Sequence, residues 1–75
     1  MSDNNKFTDG VKGTAEQVMD VITASGETTS WDIKLKLHLS SSSLYLALGW
    51  LMSQGRIQLY PKDLNYTIRP AAGQQ

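Results

Sequence analysis

The sequence predicts a small α+β domain with three helices, a short first strand and a C-terminal β-hairpin. The first observation is an apolar helical repeat in residues 44–54, which ends at a glycine and passes directly into an alternating pattern. The second is a weaker helical repeat in each of two earlier stretches. The third is a pair of short alternating stretches near the C-terminus, which indicates a hairpin. A chain of 75 residues without cysteine is one small domain, near the lower size limit for folding alone.

The third helix carries the stripe around which the rest of the chain is expected to pack. Its apolar side chains recur at i, i+3, i+4 and i+7, at Leu44, Ala47, Leu48 and Leu51. A serine among residues 40–42 is expected to cap the start of this helix, and Gly55 its end. A second apolar line, formed by Leu46 and Trp50, lies roughly opposite the buried stripe.

The first helix is predicted over residues 11–24. Its inward positions follow a helical spacing at Val11, Ala15, Val18 and Ile22. Asp9 is expected to cap its start, with a capping box at Thr14–Gln17 as the alternative if the helix begins later. Gly26 takes the left-handed position that ends it. Residues 1–9 are expected to be disordered.

The second helix is predicted over residues 31–37, after a brief strand at residues 27–29. Thr29 or Ser30 is expected to cap it, because an aspartate follows Thr29 at capping-box spacing. Its inward pair is Ile33 and Leu37. A tight turn then leads into the third helix.

The last two alternating stretches, residues 56–60 and 66–69, are predicted to form a hairpin. They are joined by residues 61–65, which are rich in turn formers, and residues 70–75 are expected to be a flexible tail. The order of helix, short strand, helix, tight turn, helix and hairpin is that of a winged helix-turn-helix domain. We assign this domain to residues 10–69, with the hairpin as its wing.

The run Ala47-Leu48-Gly49-Trp50-Leu51, followed by Gly55 and the strand start Arg56-Ile57, resembles a family of very short bacterial winged helix-turn-helix proteins. The resemblance covers roughly residues 11–69, and the Gly-Trp pair inside the helix is its most specific feature. It implies the fold and assigns no activity. One departure is His38, which stands at the turn position where such motifs commonly have glycine. We therefore expect this turn to be slightly strained or differently shaped.

Composition argues against several functional classes. The chain has one histidine, no cysteine and a net charge of zero. Its carboxylates are scattered and it has no glycine-rich phosphate loop, so we expect no enzyme, no metal or cofactor site and no small-molecule substrate. A secretory signal and a membrane-spanning run are both missing, and a cytoplasmic protein without membrane contact is expected.

Leu46 and Trp50 are expected to anchor a protein interface in a regulatory setting. Aromatic residues and a lack of charge are typical of the centres of such interfaces. The supporting residues are expected to be Tyr45, Trp31 and Leu35. The expected partner is a second copy of the chain, in a homodimer, or another protein. The alternative for Trp50 is a place in the core, with Gly49 admitting another backbone.

The alternative function is a DNA-binding transcriptional regulator that uses the third helix and the wing. The expected base contacts come from Ser42, Ser43 and Tyr45. The expected phosphate contacts come from Lys34, Lys36, Arg56, Lys62 and Arg69. The exposed face of the third helix holds no charged residue, however, and phosphate contacts dominate the affinity for nucleic acid. The sequence therefore favours protein interaction over DNA binding.

Overall fold

The computed structural model describes the backbone of residues 2–71 and the side chains of residues 6–71. Within this range the helices are α1 (Ser2–Ser25), α2 (Ser30–Leu37) and α3 (Ser41–Ser53). The strands are β1 (Thr28–Thr29), β2 (Ile57–Lys62) and β3 (Asn65–Pro70), which form an antiparallel sheet in the order β1-β3-β2. The predicted small α+β architecture, with a short first strand and a C-terminal hairpin, is confirmed.

The core lies between the helices and one face of the sheet. Its buried apolar side chains are Ala15, Val18, Ile22, Ile33, Leu44, Ala47, Leu48, Leu51, Ile57 and Ile68. Every residue of the predicted α3 stripe is among them. Leu37, which was also expected to face inward, is half-buried and packs against this cluster, as do Leu59 and Tyr66.

Helix α1 begins well before its predicted start. The sequence predicts disorder over residues 1–9, but residues 2–9 form the first turns of a 24-residue helix, and Met1 lies outside the described residues. Asp9 and Thr14 therefore lie within α1 and do not cap it. The reason is tertiary packing, because Phe7 stands one helical turn before Val11 and lines a groove against α3 together with it.

Side-chain caps begin α2 and α3 as the sequence predicts. Thr29 Oγ1 accepts a hydrogen bond from the backbone N–H of Asp32, with an N–O distance of 3.1 Å. Ser40 Oγ accepts one from the backbone N–H of Ser43, with a distance of 3.2 Å. Each cap satisfies a backbone donor that the first turn of the helix leaves without a partner.

Left-handed residues end all three helices. Gly26 and Gly55 have φ values of +76° and +70°, as expected for glycine after a helix. His38 ends α2 with φ +55° and ψ +46°, and the N–H of Leu39 donates to the carbonyl of Lys34. The turn therefore keeps the shape that glycine would allow. The predicted strain lies at His38, where a left-handed conformation costs a non-glycine residue about 1–2 kcal/mol.

Ser30, the rival cap, instead links α2 to the hairpin. Its side chain is buried, and Oγ accepts a hydrogen bond from the backbone N–H of Tyr66 at 3.1 Å. The same hydroxyl donates to Asn65 Oδ1 at 3.3 Å. Because one hydroxyl serves both residues, it holds the start of β3 against the start of α2.

The hairpin has a tighter turn than the sequence predicts. A connection over residues 61–65 was expected, but both strands extend into this stretch and leave Asp63 and Leu64 as the turn. Asp63 has φ +56°, a left-handed conformation that aspartate tolerates in turns. Pro61 pairs with Tyr66 inside the ladder. It is accommodated because β2 is an edge strand, where a missing backbone donor can face outward.

The expected tail over residues 70–75 begins later in the structure. Pro70 pairs with Ile57 at the end of β3, and the backbone N–H of Ala71 donates to the carbonyl of Arg56 at 2.9 Å. These contacts make both residues part of the folded domain. Residues 72–75 lie outside the described part of the chain.

Candidate protein-interaction surface

A groove of about 450 Å³ runs between the first half of α1 and the outer side of α3. Its lining residues are Phe7, Thr8, Val11, Tyr45, Leu46, Gly49, Trp50 and Ser53. None of them is charged. We refer to this feature as the α1–α3 groove. It brings together Tyr45, Leu46 and Trp50, three of the five residues predicted to form an interface.

The groove exists because two apolar stripes extend beyond the core. On α1, Phe7 and Val11 continue the helical spacing of the buried residues towards the N-terminus. On α3, Leu46 and Trp50 lie one turn apart on the side of the helix that faces α1. Phe7 is 63% exposed and Leu46 is 46% exposed, so large apolar side chains remain in contact with water. Exposed apolar area of this kind marks interaction sites.

Trp50 belongs partly to the core and partly to the surface. Its side chain is half-buried and packs against the buried cluster, and it also lines the α1–α3 groove. The ammonium of Lys12 lies 5.4 Å from the centre of the indole ring, within the range of a cation–π contact. The core interpretation therefore holds for part of this side chain, and the part exposed in the groove leaves the interface role as a prediction.

Within the described part of the chain, no other backbone segment packs closely against Gly49. A Cβ atom placed on this glycine would meet no heavy atom within 4 Å. The expectation that it permits a close approach inside the domain is therefore wrong. Gly49 instead lines both the α1–α3 groove and a second groove of about 370 Å³ between α3 and the hairpin.

Tyr45 separates these grooves from a small cleft beside α2. Its ring meets that of Tyr66 edge to face, with the centroids 6.0 Å apart and the planes at 78°. The cleft, of about 190 Å³, is lined by Tyr45 and Trp31 among others. Trp31 and Leu35 are both more than half exposed, but Leu35 lines neither the cleft nor the α1–α3 groove. The surface therefore extends to Trp31 and not to Leu35.

Arg56 and Arg69, which were expected to contact phosphates, form ion pairs within the domain. The guanidinium of Arg56 donates to both carboxylate oxygens of Glu16, at 2.7 and 3.3 Å. Arg69 Nε donates to Glu27 at 2.9 Å. The hydrogen bond from Arg56 lowers the pKa of Glu16, and the same contact raises the pKa of Arg56. Both arginines would have to leave a carboxylate to reach a phosphate, and Arg56 faces α1 rather than the tip of the wing.

Most of the other candidates for nucleic-acid contact are exposed, whereas Lys34 is half-buried, with its ammonium 5.7 Å from the centre of the Trp31 ring. The lysines are Lys34, Lys36 and Lys62, and no ion pair joins them to a carboxylate among the described side chains. Ser42 and Ser43 are exposed at the start of α3, although the backbone N–H of Ser43 is used by the helix cap. The structure thus keeps three of the five predicted cations available.

Phe7 is the large apolar residue of the groove that the sequence did not reveal as a candidate. It lies in the stretch that was expected to be disordered, and its neighbours are polar. The signal that could have revealed it is its spacing of four residues from Val11, which places both on one face of a helix.

No candidate metal site is found among the side chains of residues 6–71, and no candidate membrane span among the described helices. No group of three or more His, Cys, Asp or Glu side chains converges there to hold a metal ion, and none of the helices combines the length and apolarity that a bilayer span requires. The chain matches no protein-family model, and no curated protein or solved structure shows significant similarity to it.

Proposed function

We propose that this chain is a non-enzymatic winged helix-turn-helix module that acts in a regulatory setting by pairing with a second copy through the α1–α3 groove. The order of the elements, the short turn at His38 between α2 and α3, and the hairpin that follows support the fold assignment. The resemblance of the Ala47–Leu51 run to short bacterial winged-helix proteins supports the same assignment.

The observation that carries the proposal is the lack of charge in the α1–α3 groove. In a winged helix that reads DNA, the exposed face of the third helix makes base contacts, and nearby basic groups bind phosphates. Here that face presents Leu46, Gly49 and Trp50. Aromatic residues in place of charges are typical of the centre of a protein interface. The groove is therefore better suited to a protein than to a nucleic acid.

A second copy is the partner that the rest of the chain favours. A domain of this size has a limited core, and association adds apolar burial that one copy lacks. The net charge of zero means that two copies approach without net repulsion. A stable interface requires at least about 1,000 Å² of buried surface, so both copies are expected to contribute their grooves.

Leu46→Glu tests the proposal, because Leu46 is exposed and its replacement leaves the core intact. Dimerisation would bury the new carboxylate in an apolar groove, at a cost above about 1.4 kcal/mol. We therefore expect the dimer dissociation constant, measured by sedimentation equilibrium, to rise by about tenfold or more. Leu35→Glu is the matched control, since Leu35 is also about half exposed but lies outside the groove. A monomeric wild type at about 1 mM, or equal effects of both changes, would contradict the proposal.

Duplex DNA binding is the second candidate, and the lysines favour it. Lys34, Lys36 and Lys62 have no carboxylate partner among the described side chains. Ser42 and Tyr45 are exposed on the first turns of α3, where a base-reading helix would present them. A dimer would not oppose this function, because two weak half-sites could add.

A further inference from the structure

We infer that the α1–α3 groove also binds an acidic amphipathic helix of another protein, which takes the place of the second copy. The inference rests on the proposed function in that both partners use this groove as an interface. It adds the charge and the secondary structure that the further partner must have. The observation that carries it is a pair of cations beside an apolar surface that no described carboxylate lines.

Three apolar side chains, Phe7, Val11 and Leu46, form a seam between α1 and α3. They line the α1–α3 groove and also a neighbouring hollow of about 280 Å³, whose other walls include Lys6 and Ser43. We refer to this second feature as the Lys6 hollow. Neither lining contains an acidic residue. A partner that lies across the seam therefore finds apolar contacts on both sides of it.

One lysine stands on each side of the seam. Successive residues of a helix are about 100° apart around its axis, so Lys6 and Lys12 fall on opposite flanks of the apolar stripe of α1. Lys6 lines the Lys6 hollow, and the ammonium of Lys12 lies 5.4 Å from the centre of the Trp50 ring. Both lysines are exposed, and neither forms an ion pair among the described side chains.

These two cations determine the charge that the partner must bring. A partner that covers the seam removes water from both ammonium groups, which is costly unless it supplies carboxylates. The described acidic residues of α1 are Asp9, Glu16 and Asp20, and their spacing places them on the face away from Phe7. Charge complementarity therefore favours an acidic partner.

The walls of the groove determine the secondary structure of the partner. Both walls are helices, whose inner backbone groups bond within α1 and α3. An extended peptide would find no sheet edge to pair with here, whereas a helix satisfies its own backbone hydrogen bonds. The partner that fits is a helix with apolar anchors at i and i+4 and acidic side chains beside them.

The helices of this chain do not fit that description. Helix α3 has no acidic residue, and α2 carries two lysines against one aspartate. On α1 the described acidic residues lie opposite the exposed apolar side chain of Phe7. A second copy can cover the seam through apolar contacts alone, but a foreign acidic helix also meets the two lysines. We therefore expect the foreign helix to displace the second copy.

Two designed peptides test the inference. Each has about sixteen residues, enough for a helix to form, with leucines at i, i+4 spacing in an alanine-rich sequence and a fluorescent label. The acidic peptide carries glutamates beside the leucines, and the control peptide carries lysines at the same positions. In anisotropy titrations we expect the acidic peptide to bind at least about tenfold more tightly than the control. This preference should shrink as the salt concentration rises.

Charge reversal at the seam should invert the preference. Lys6→Glu combined with Lys12→Glu replaces both cations by carboxylates, and we expect this variant to bind the lysine peptide more tightly. The matched control is Lys36→Glu with Lys62→Glu. It changes the net charge equally, at two exposed lysines that line neither the α1–α3 groove nor the Lys6 hollow. At physiological salt it should still prefer the acidic peptide, and far-UV circular dichroism checks that both variants keep their helices.

Sedimentation equilibrium without peptide measures self-pairing separately, and the acidic peptide should convert any dimer into a peptide-bound monomer. Displacement, together with a preference that only the seam variant inverts, supports the inference. Equal affinity for both peptides, or equal loss of the preference in both variants, overturns it. A wild type that dimerises but binds neither peptide up to about 1 mM overturns the inference and leaves the proposed function standing. A monomeric wild type that prefers the acidic peptide overturns self-pairing and supports the acidic partner.

Discussion

Arg56 holds the start of β2 against α1. Its partner Glu16 lies 40 residues earlier, and the shorter of their two hydrogen bonds is 2.7 Å. Exposed ion pairs with a single contact contribute little to stability, but an arginine that donates to both carboxylate oxygens has a better geometry. The pair therefore uses the charge of Arg56 to join two elements of the domain and withdraws it from any ligand.

Glu16→Gln is expected to make stability less dependent on pH. The hydrogen bond from Arg56 lowers the pKa of Glu16 in the folded state below its ordinary value of 4.5. The stabilising contribution is therefore complete above that value and is lost as the pH falls through the lower folded-state pKa. In thermal unfolding followed by circular dichroism, we expect a small Tm deficit of the variant at neutral pH, which shrinks as the pH falls below 4.5 and through the lower folded-state pKa of Glu16.

An Arg56→Gln background provides the control for this measurement. Without the guanidinium, Glu16→Gln should have no further effect on Tm at any pH, because the two groups contribute only as a pair. A Tm deficit of the single variant that stays constant over the whole pH range would show that the ion pair is not its cause.

Gly13, inside α1, and Gly55, just after α3, have opposite effects on the stability of the domain. Gly13 lies inside α1 in open space, where a Cβ atom would meet nothing within 4 Å. Gly55 follows α3 with φ +70°, and the N–H of Arg56 beyond it donates to the carbonyl of Leu51 at 3.1 Å, which completes the cap. The first glycine weakens its helix and the second terminates one.

The same Gly→Ala change should therefore have opposite effects at the two positions. Gly13→Ala is expected to raise the free energy of unfolding by about 1 kcal/mol, because alanine restricts the unfolded chain and favours the helix. Gly55→Ala should lower it by about 1–2 kcal/mol, because an L-residue is strained in the left-handed region. Denaturant unfolding at a concentration where the protein is monomeric measures both. A loss of stability in Gly13→Ala would contradict the argument.

The chain has no net charge, and its described side chains form no concentrated basic face. Among the described side chains, the lysines without an ion pair are distributed over α1, α2 and the tip of the hairpin, and both arginines are paired with glutamates. Affinity for nucleic acid depends on releasing many counterions from the phosphate backbone, which requires several cations to act together. This charge distribution agrees better with a module that binds protein.

An amide NMR titration with random-sequence duplex DNA distinguishes the two candidate functions. We expect no shifts at physiological salt and at most small shifts at low salt. If the phosphate contacts come from the three lysines of α2 and the hairpin, the slope of log K against log salt should be no steeper than about −2.7. Salt-sensitive shifts centred on residues 42–45 and the hairpin, abolished by Lys34→Glu with Lys62→Glu, would favour DNA binding instead.

Most of the secondary structure could be predicted because its signals are local. The caps at Thr29 and Ser40 and the left-handed glycines depend on residues no more than about one helical turn apart. The turn of the hairpin could not be predicted in the same way. Pro61 is typical of a turn, and only the position of β2 at the edge of the sheet allows it to stand within a strand.

The sequence by itself determined that α3 has two apolar sides and no exposed charge, and so it identified Tyr45, Leu46 and Trp50 as surface candidates. Only the tertiary structure decided what lies beside them. Phe7 joins that surface because α1 packs across α3, and Arg56 ceases to be a candidate for phosphate binding because Glu16 reaches it. Both contacts link residues far apart in the chain. They depend on how whole helices pack against one another, and the periodicity within a single helix carries no information about that packing.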